Sequence, residues 1–145
     1  VHEVLAERRI RDPAVRKVGG DAIVPFEDLD EVLPFYHEVF ERRGLEHAIW
    51  GHGSDGNLHP NALPRSAEEV ASAEQAQLEI AREVRRRGGS PLSEHGVGRS
   101  PLKQRLLREF YGPEALHEMR AVKRAFDPEW RLAPGVLFPR EDEAR

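Results

Sequence analysis

Residues 51–60 read Gly-His-Gly-Ser-Asp-Gly-Asn-Leu-His-Pro, and the Asp55-Gly56 pair at their centre constrains the fold more than any other stretch. A two-residue type I′ turn needs positive φ at both central positions, and Asp-Gly between extended residues supplies it. The flanking segments "HAIWGH" and "NLHPNAL" then read as the two strands of an antiparallel ribbon. With Asp55 and Gly56 as the turn, the cross-strand pairs are Ser54 with Asn57, Gly53 with Leu58, and His52 with His59. Directly opposed residues on one face have Cβ atoms roughly 4.5 to 5.5 Å apart. That spacing lets two imidazoles share one cation at about 2.0 to 2.1 Å per nitrogen. The same pair also fits a surface turn or backbone hydrogen bonds, and Asp55 and Asn57 are ordinary turn residues.

A third ligand would favour the metal reading, and "SEHGVG" at 93–98 offers Glu94 beside His95. Two histidines and a glutamate with open positions are a common catalytic set for zinc and related divalent metals, because substrate has room to bind. Gly96 and Gly98 let the backbone turn tightly or approach a flat ligand. On a regular strand, however, Glu94 and His95 point to opposite faces, so both serve one site only where the strand ends or bulges. A Glu-His pair before glycines is equally compatible with a plain loop.

The rest of the chain supplies a scaffold of alternating helices and short strands. Val1, Val4, Leu5 and Ile10 mark a helix over 1–10 that Asp12-Pro13 stops. Gly19-Gly20 precede "DAIVPF", a short strand ending at Pro25. Leu29, Val32, Leu33, Tyr36, Val39 and Phe40 recur at helical spacing before Gly44, and Pro34 among them argues for a start at an Asp30 cap. Ser66 and Glu69 form a capping box for a helix to Arg87, with Val70, Ala73, Ile80 and Val84 on one stripe and Gly88-Gly89 after it. "SPLSEHGVG" reads as a short extended segment. Helices follow over 101–110 and 113–126, the second with Leu116, Met119, Val122 and Phe126 inward, closed by Asp127-Pro128 before an irregular tail and a frayed "EDEAR" end. This order predicts an α+β fold, a mostly antiparallel sheet backed by helices, in a single domain over 1–145.

Composition narrows the function classes. The chain has no cysteine, so disulfides, thiolate metal sites and cysteine nucleophiles are excluded and any metal must use nitrogen and oxygen donors. The 26 acidic and 22 basic residues are interspersed and leave a net charge of −4, which disfavours nucleic-acid binding. No apolar run approaches the roughly eighteen residues of a membrane span, and no charged-then-apolar leader opens the chain, so a cytoplasmic protein is the default expectation. The start at Val1, inside a helical pattern, reads as part of something longer.

"GHGSDGNLHP", "GGSPLSEHGVG" and "AFDPEWRLAPGVLF", with "KVGGDAIVPFEDL" before them, resemble the C-terminal half of the cap domain in FAD-linked oxidases of the glycolate oxidase, D-lactate dehydrogenase and D-2-hydroxyglutarate dehydrogenase type. The likeness covers residues 15 to 138 or so. It implies that His52, His59 and Glu94 hold a divalent metal, often zinc, that His95 is the base, and that Asn57 and Gly96 lie near substrate and flavin. The implied reaction is oxidation of a small D-2-hydroxy acid, with hydride passing from Cα to the flavin. Nothing in the chain resembles the FAD pyrophosphate-binding half, so an FAD-binding domain or subunit is the implied partner. Two further positions depart from the family pattern. Ala133-Pro134-Gly135-Val136 stands where Asn-Pro-Gly-Lys is usual, and Gly19-Gly20 precede Asp21 where some members carry a carboxylate-binding lysine, a role open here to Lys17, Arg8, Arg9 or Arg11. The alternatives are a non-catalytic metal-binding or structural module of the same fold, and a flavin enzyme without net oxidation, like the alkyl-glycerone-phosphate synthases.

Overall fold

The computed structural model describes residues 2–139, and of His2 the backbone alone. The expected apolar contact of Val1 and the frayed end at 141–145 lie outside them. The chain divides into two compact units, Val1–Glu94 and His95–Arg145.

The first unit contains α1 (His2–Arg11), β1 (Val18–Gly19), β2 (Ala22–Ile23), α2 (Leu29–Glu41), β3 (His47–His52), β4 (Asn57–Ala62) and α3 (Ala67–Arg86). β4 is central and every pairing is antiparallel. β3 lies along one side of it, and β1 and β2 share the other, opposite Ala62-Asn61 and Leu58-Asn57. The single strand expected over 21–26 is thus two short ones that begin earlier, at Val18. Between them, the Gly20 N–H donates to the Pro60 carbonyl at 2.8 Å, keeping the chain on β4 across the break.

α3 packs on β1, β2 and α2, and its predicted stripe of Val70, Ala73, Ile80 and Val84 is buried against Val32, Tyr36, Val39 and Phe40 of α2 and the sheet. Gln77 is buried with them because its amide donates to both Val18 O (3.2 Å) and Pro60 O (2.7 Å), tying the helix to two strands. Ser66 caps α3 as expected, accepting from the Glu69 N–H at 3.3 Å. The Glu69 carboxylate, however, reaches the Arg65 N–H and guanidinium. α2 starts at Leu29 rather than after an Asp30 cap, following a 3₁₀ turn at Phe26–Asp28. Pro34 is tolerated because it and Asp30, whose carbonyl loses its helical partner, both face solvent. Leu33 is 39% exposed, and in α1 only Leu5 reaches a core, with Val15 and Leu63, while Ile10 is exposed.

The C-terminal end of α3 carries an ion-pair network. Arg87 reaches Glu31 at 2.8 Å and Asp28 at 3.2 Å, and both Arg86 and Arg87 reach Glu83. The hydrogen bonds from Arg86, then Arg87, hold the Glu83 carboxyl down to about 2. A carboxyl depressed in the folded state stabilises above its unfolded pKa and loses that contribution as pH falls toward the folded value. Unfolding free energy is therefore expected to fall between about pH 4.5 and pH 2. The Glu83→Gln chain should be less stable at pH 7 and show a flatter decline across that window, measured by urea melts at each pH.

In the second unit, α4 (Pro101–Phe126) starts at a Ser100 cap and leaves helical geometry at Gly112 (φ 76°, ψ 174°), before Pro113. The two predicted helices are its two pieces. Val97, Leu106, Leu107, Leu116 and Phe138 are the buried apolar side chains among the unit's described residues. Val122 and Phe126 were expected inward, yet they are 60% and 84% exposed. Helical spacing places them on one face but does not supply anything to cover it. The tail is irregular, as expected, and is anchored by Asp127, which accepts from the Arg131 N–H (3.0 Å), the Leu132 N–H (2.9 Å) and Lys123 (2.5 Å). Among the described residues, no helix is long and apolar enough to cross a membrane.

Candidate functional site

The ribbon forms, but with a longer link than a two-residue turn. Gly53–Asp55 make a 3₁₀ turn and Gly56 alone takes the left-handed conformation (φ 76°), so Asp55 does not occupy the positive-φ position of a type I′ turn. The register shifts by two residues: His52 stands opposite Asn57, and His59 opposite Trp50. A shift of two preserves sidedness, because strand side chains alternate with period two. His52 and His59 are consequently diagonal neighbours on the same face, their rings 6.1 Å apart and nearly perpendicular.

Asn57, His59 and Asn61 project from this face of β4 and are all buried, and the Asn61 amide donates to the His59 carbonyl at 2.5 Å. The extended run after α3 stops at Ser90, which bridges Ile23 through two 2.9 Å backbone hydrogen bonds. Residues 91–95 are bends rather than strand, so strand alternation does not dictate where Glu94 points. The Glu94 carboxylate comes to 3.0 Å from His59 Nε2 and 3.9 Å from His52 Nε2.

What places Glu94 is Asp21, which is 1% exposed. Its carboxylate accepts the Glu94 N–H at 3.1 Å and the Ser93 hydroxyl at 2.5 Å, and Ser93 also lies 3.2 Å from Asn57 Oδ1. Asp21 Oδ1 is itself 3.8 Å from His59 Nδ1. Local sequence pattern marks Asp21 only through the glycines before it. The available signal was a carboxylate inside the apolar run "GGDAIV", since a buried charge needs partners to be tolerated.

Asp21, His59 and Glu94 each offer a ligand atom, and these atoms lie within 4.8 Å of one another. This nitrogen-and-oxygen set suits zinc, manganese or iron, and two carboxylates supply the compensating charge. Of the predicted ligands, His59 and Glu94 therefore converge. His52 stays beside Glu94 with 63% of its side chain exposed, and Asn57 joins the group through Ser93. The predicted His95 and Gly96 belong to the second unit. There His95 is exposed, Gly96 has φ 67°, and its carbonyl accepts from Lys103 at 2.8 Å.

At the rim of the same face, Lys17 Nζ sits 5.4 Å from the centre of the Trp50 ring. Two other basic candidates named from sequence are engaged elsewhere: Arg8 with Glu46 and the Leu63 carbonyl, and Arg9 with the Val15 carbonyl. In the second unit, Pro134 of the departing Ala133-Pro134-Gly135-Val136 segment accepts from Arg99 Nε at 3.0 Å.

The family model described as "FAD linked oxidases, C-terminal domain" matches residues 5–137. The chain is 32% identical over 129 residues to the glycolate oxidase subunit GlcD of Bacillus subtilis, covering 86% of this chain and 27% of that protein. It is 31% identical over 123 residues to the D-2-hydroxyglutarate dehydrogenase of Haemophilus influenzae, covering 81% and 11%. To the mitochondrial D-lactate dehydrogenase [cytochrome] 1 of Saccharomyces cerevisiae it is 29% identical over 135 residues, covering 93% and 23%. The chain thus spans little more than a quarter, or less, of each of these relatives.

Proposed function

The chain belongs to the family of FAD linked oxidases, C-terminal domain, and from that premise we propose that it is the catalytic-cap part of an FAD-dependent oxidoreductase that oxidises a small D-2-hydroxy acid of the glycolate or D-lactate type. Its partner in this reading is an FAD-binding domain or subunit. The observation that carries the reading is the 3.0 Å approach of Glu94 to His59 beside buried Asp21, on the sheet face that also carries His52 and Asn57.

When bound, FAD supplies the two-electron acceptor and a divalent cation, zinc in our assignment, supplies Lewis acidity toward the substrate's oxygens. We assign the cation to His59 and Glu94 with His52, and add Asp21 as the group that sets the position of Glu94. Converting a 2-hydroxy acid to the 2-oxo acid removes a hydroxyl proton along with a hydride from Cα. We assign the proton to His95, the imidazole following Glu94 in sequence, since an imidazole accepts protons near neutral pH. Asn57 and Gly96 are assigned to the flavin and substrate edge, where a carboxamide and an unhindered backbone can approach a flat ring.

Lys17 is the cation we assign to the substrate carboxylate, because it stands on the rim of this face and Arg8 and Arg9 are occupied. Such a contact binds ground state and transition state alike, so Lys17→Gln should raise KM about tenfold or more with kcat little changed. Steady-state kinetics of the chain joined to its FAD-binding region, with D-lactate or glycolate and a dye acceptor, decides this. The general test is the same assay together with elemental analysis. A divalent metal equivalent that depends on His59, together with dye reduction, supports the reading, whereas neither a His59-dependent metal nor turnover leaves a structural module of the same fold.

A further inference from the structure

A second cluster of metal-ligating side chains lies apart from the site above, where α2 hands over to β3. His37 and Glu41 stand one helical turn apart on α2, and His47 opens β3. His37 Nδ1 and His47 Nε2 approach to 2.8 Å. The other nitrogen of His47, Nδ1, is 3.1 Å from the Leu45 carbonyl, and Phe40 stacks on the ring at 5.0 Å and 25°. One ligand atom from each of His37, Glu41 and His47 lies within 4.8 Å of the others.

The protonation pattern follows from these contacts. A carbonyl only accepts, so His47 Nδ1 carries the hydrogen and, in the neutral ring, Nε2 keeps its lone pair. That lone pair faces His37, with the Glu41 carboxylate alongside. An imidazole whose far nitrogen donates to a backbone carbonyl, and whose plane is fixed by packing, has the orientation of a metal-bound histidine. Two imidazoles and one carboxylate form a zinc-type donor set. At Zn–N distances of about 2.0 to 2.1 Å in a tetrahedral site, the two nitrogens would sit about 3.3 Å apart. From 2.8 Å the pair needs to open by only about half an ångström, a small rotation of the His37 side chain. His37 and His47 are half-buried and Glu41 is exposed, so a cation can enter and a water can complete the shell.

We propose that His37, Glu41 and His47 form a second divalent-cation site of the zinc class, which clips the C-terminal end of α2 to the first residue of β3. It is independent of the reading given above, since none of its residues is shared with the sheet-face group.

The test is calorimetric titration of Zn²⁺ alone into the full chain, with His37→Gln and Glu41→Gln beside the wild type. His37→Gln should bind one Zn²⁺ fewer, or bind that equivalent at least tenfold more weakly, while melting at the wild-type temperature in EDTA. Added Zn²⁺ should raise the melting temperature of the wild type more than that of the variant. His59→Gln should retain the His37-dependent equivalent, which separates this site from the sheet-face group. Unchanged stoichiometry and affinity in His37→Gln would overturn the proposal. If that variant does not fold, Glu41→Gln, altered at an exposed carboxylate, decides: tenfold weaker Zn²⁺ binding upholds the site and wild-type affinity overturns it.

Discussion

His59→Ala is expected to remove the sheet-face metal and turnover together, whereas His95→Gln is expected to remove turnover and leave that metal in place. The contrast follows from where the two imidazoles stand. His59 is 4% exposed and its Nε2 faces Glu94 at 3.0 Å, so deleting the ring takes away the one buried nitrogen donor of the sheet-face group. His95 is exposed and is assigned proton transfer, a role worth about 10²- to 10⁴-fold in kcat. Asp21→Asn should fall between them. The amide keeps the volume but has no charge and one accepting oxygen in place of two for the Ser93 hydroxyl and the Glu94 N–H, so Glu94 is held less firmly toward His59. Loss of a group that orients a ligand typically costs 10- to 100-fold in metal affinity. If Asp21 is itself a ligand the loss will be larger, and metal titration of the variant distinguishes the two roles. Elemental analysis, metal titration and dye reduction on the three variants check the whole pattern. Wild-type metal content in folded His59→Ala would sink the assignment.

The parts of this site that sequence made legible are those governed by local rules. Two histidines bracketing Asp-Gly had to share a face whether the register was the expected one or the observed one, since the two differ by an even number of residues. The type of turn was not legible. Asp-Gly serves a two-residue turn, but it equally serves a four-residue link in which only the glycine takes positive φ, and what selects the latter is a distant contact between Gly56 and Val24. Asp21 was missed for the same reason. Its importance lies in hydrogen bonds to residues 93 and 94, more than seventy positions along the chain, which periodicity cannot reveal. The α3 stripe read correctly because α2 and the sheet cover it. Val122 and Phe126 read incorrectly because spacing predicts a face and says nothing of a cover.

The same long-range contact makes Gly56→Ala a strongly damaging small substitution in the first unit. Gly56 closes the 3₁₀ turn at φ 76°, accepts the Val24 N–H at 3.1 Å, and lies so close to β2's exit that an added Cβ would stand 2.2 Å from the Val24 carbonyl oxygen. A non-glycine residue in left-handed geometry costs about 1 to 3 kcal/mol. Relieving the overlap means moving one backbone away from the other and giving up their hydrogen bond, a further 0.5 to 1.5 kcal/mol or so. The combined loss, about 3 kcal/mol, should lower the melting temperature by on the order of 10 °C or more for a unit of this size. Two other glycines separate the contributions. Gly44 has φ 64° but open space, so Gly44→Ala should show the conformational cost alone. Gly53 has open space and no positive φ, so Gly53→Ala should be close to neutral. Because Gly56 leads directly into Asn57 and His59, its displacement should also weaken metal binding, whereas Gly44→Ala should leave metal affinity at the wild-type value. Equal melting temperatures for Gly56→Ala and Gly44→Ala would mean that the Val24 contact does not hold the ribbon's tip against the sheet.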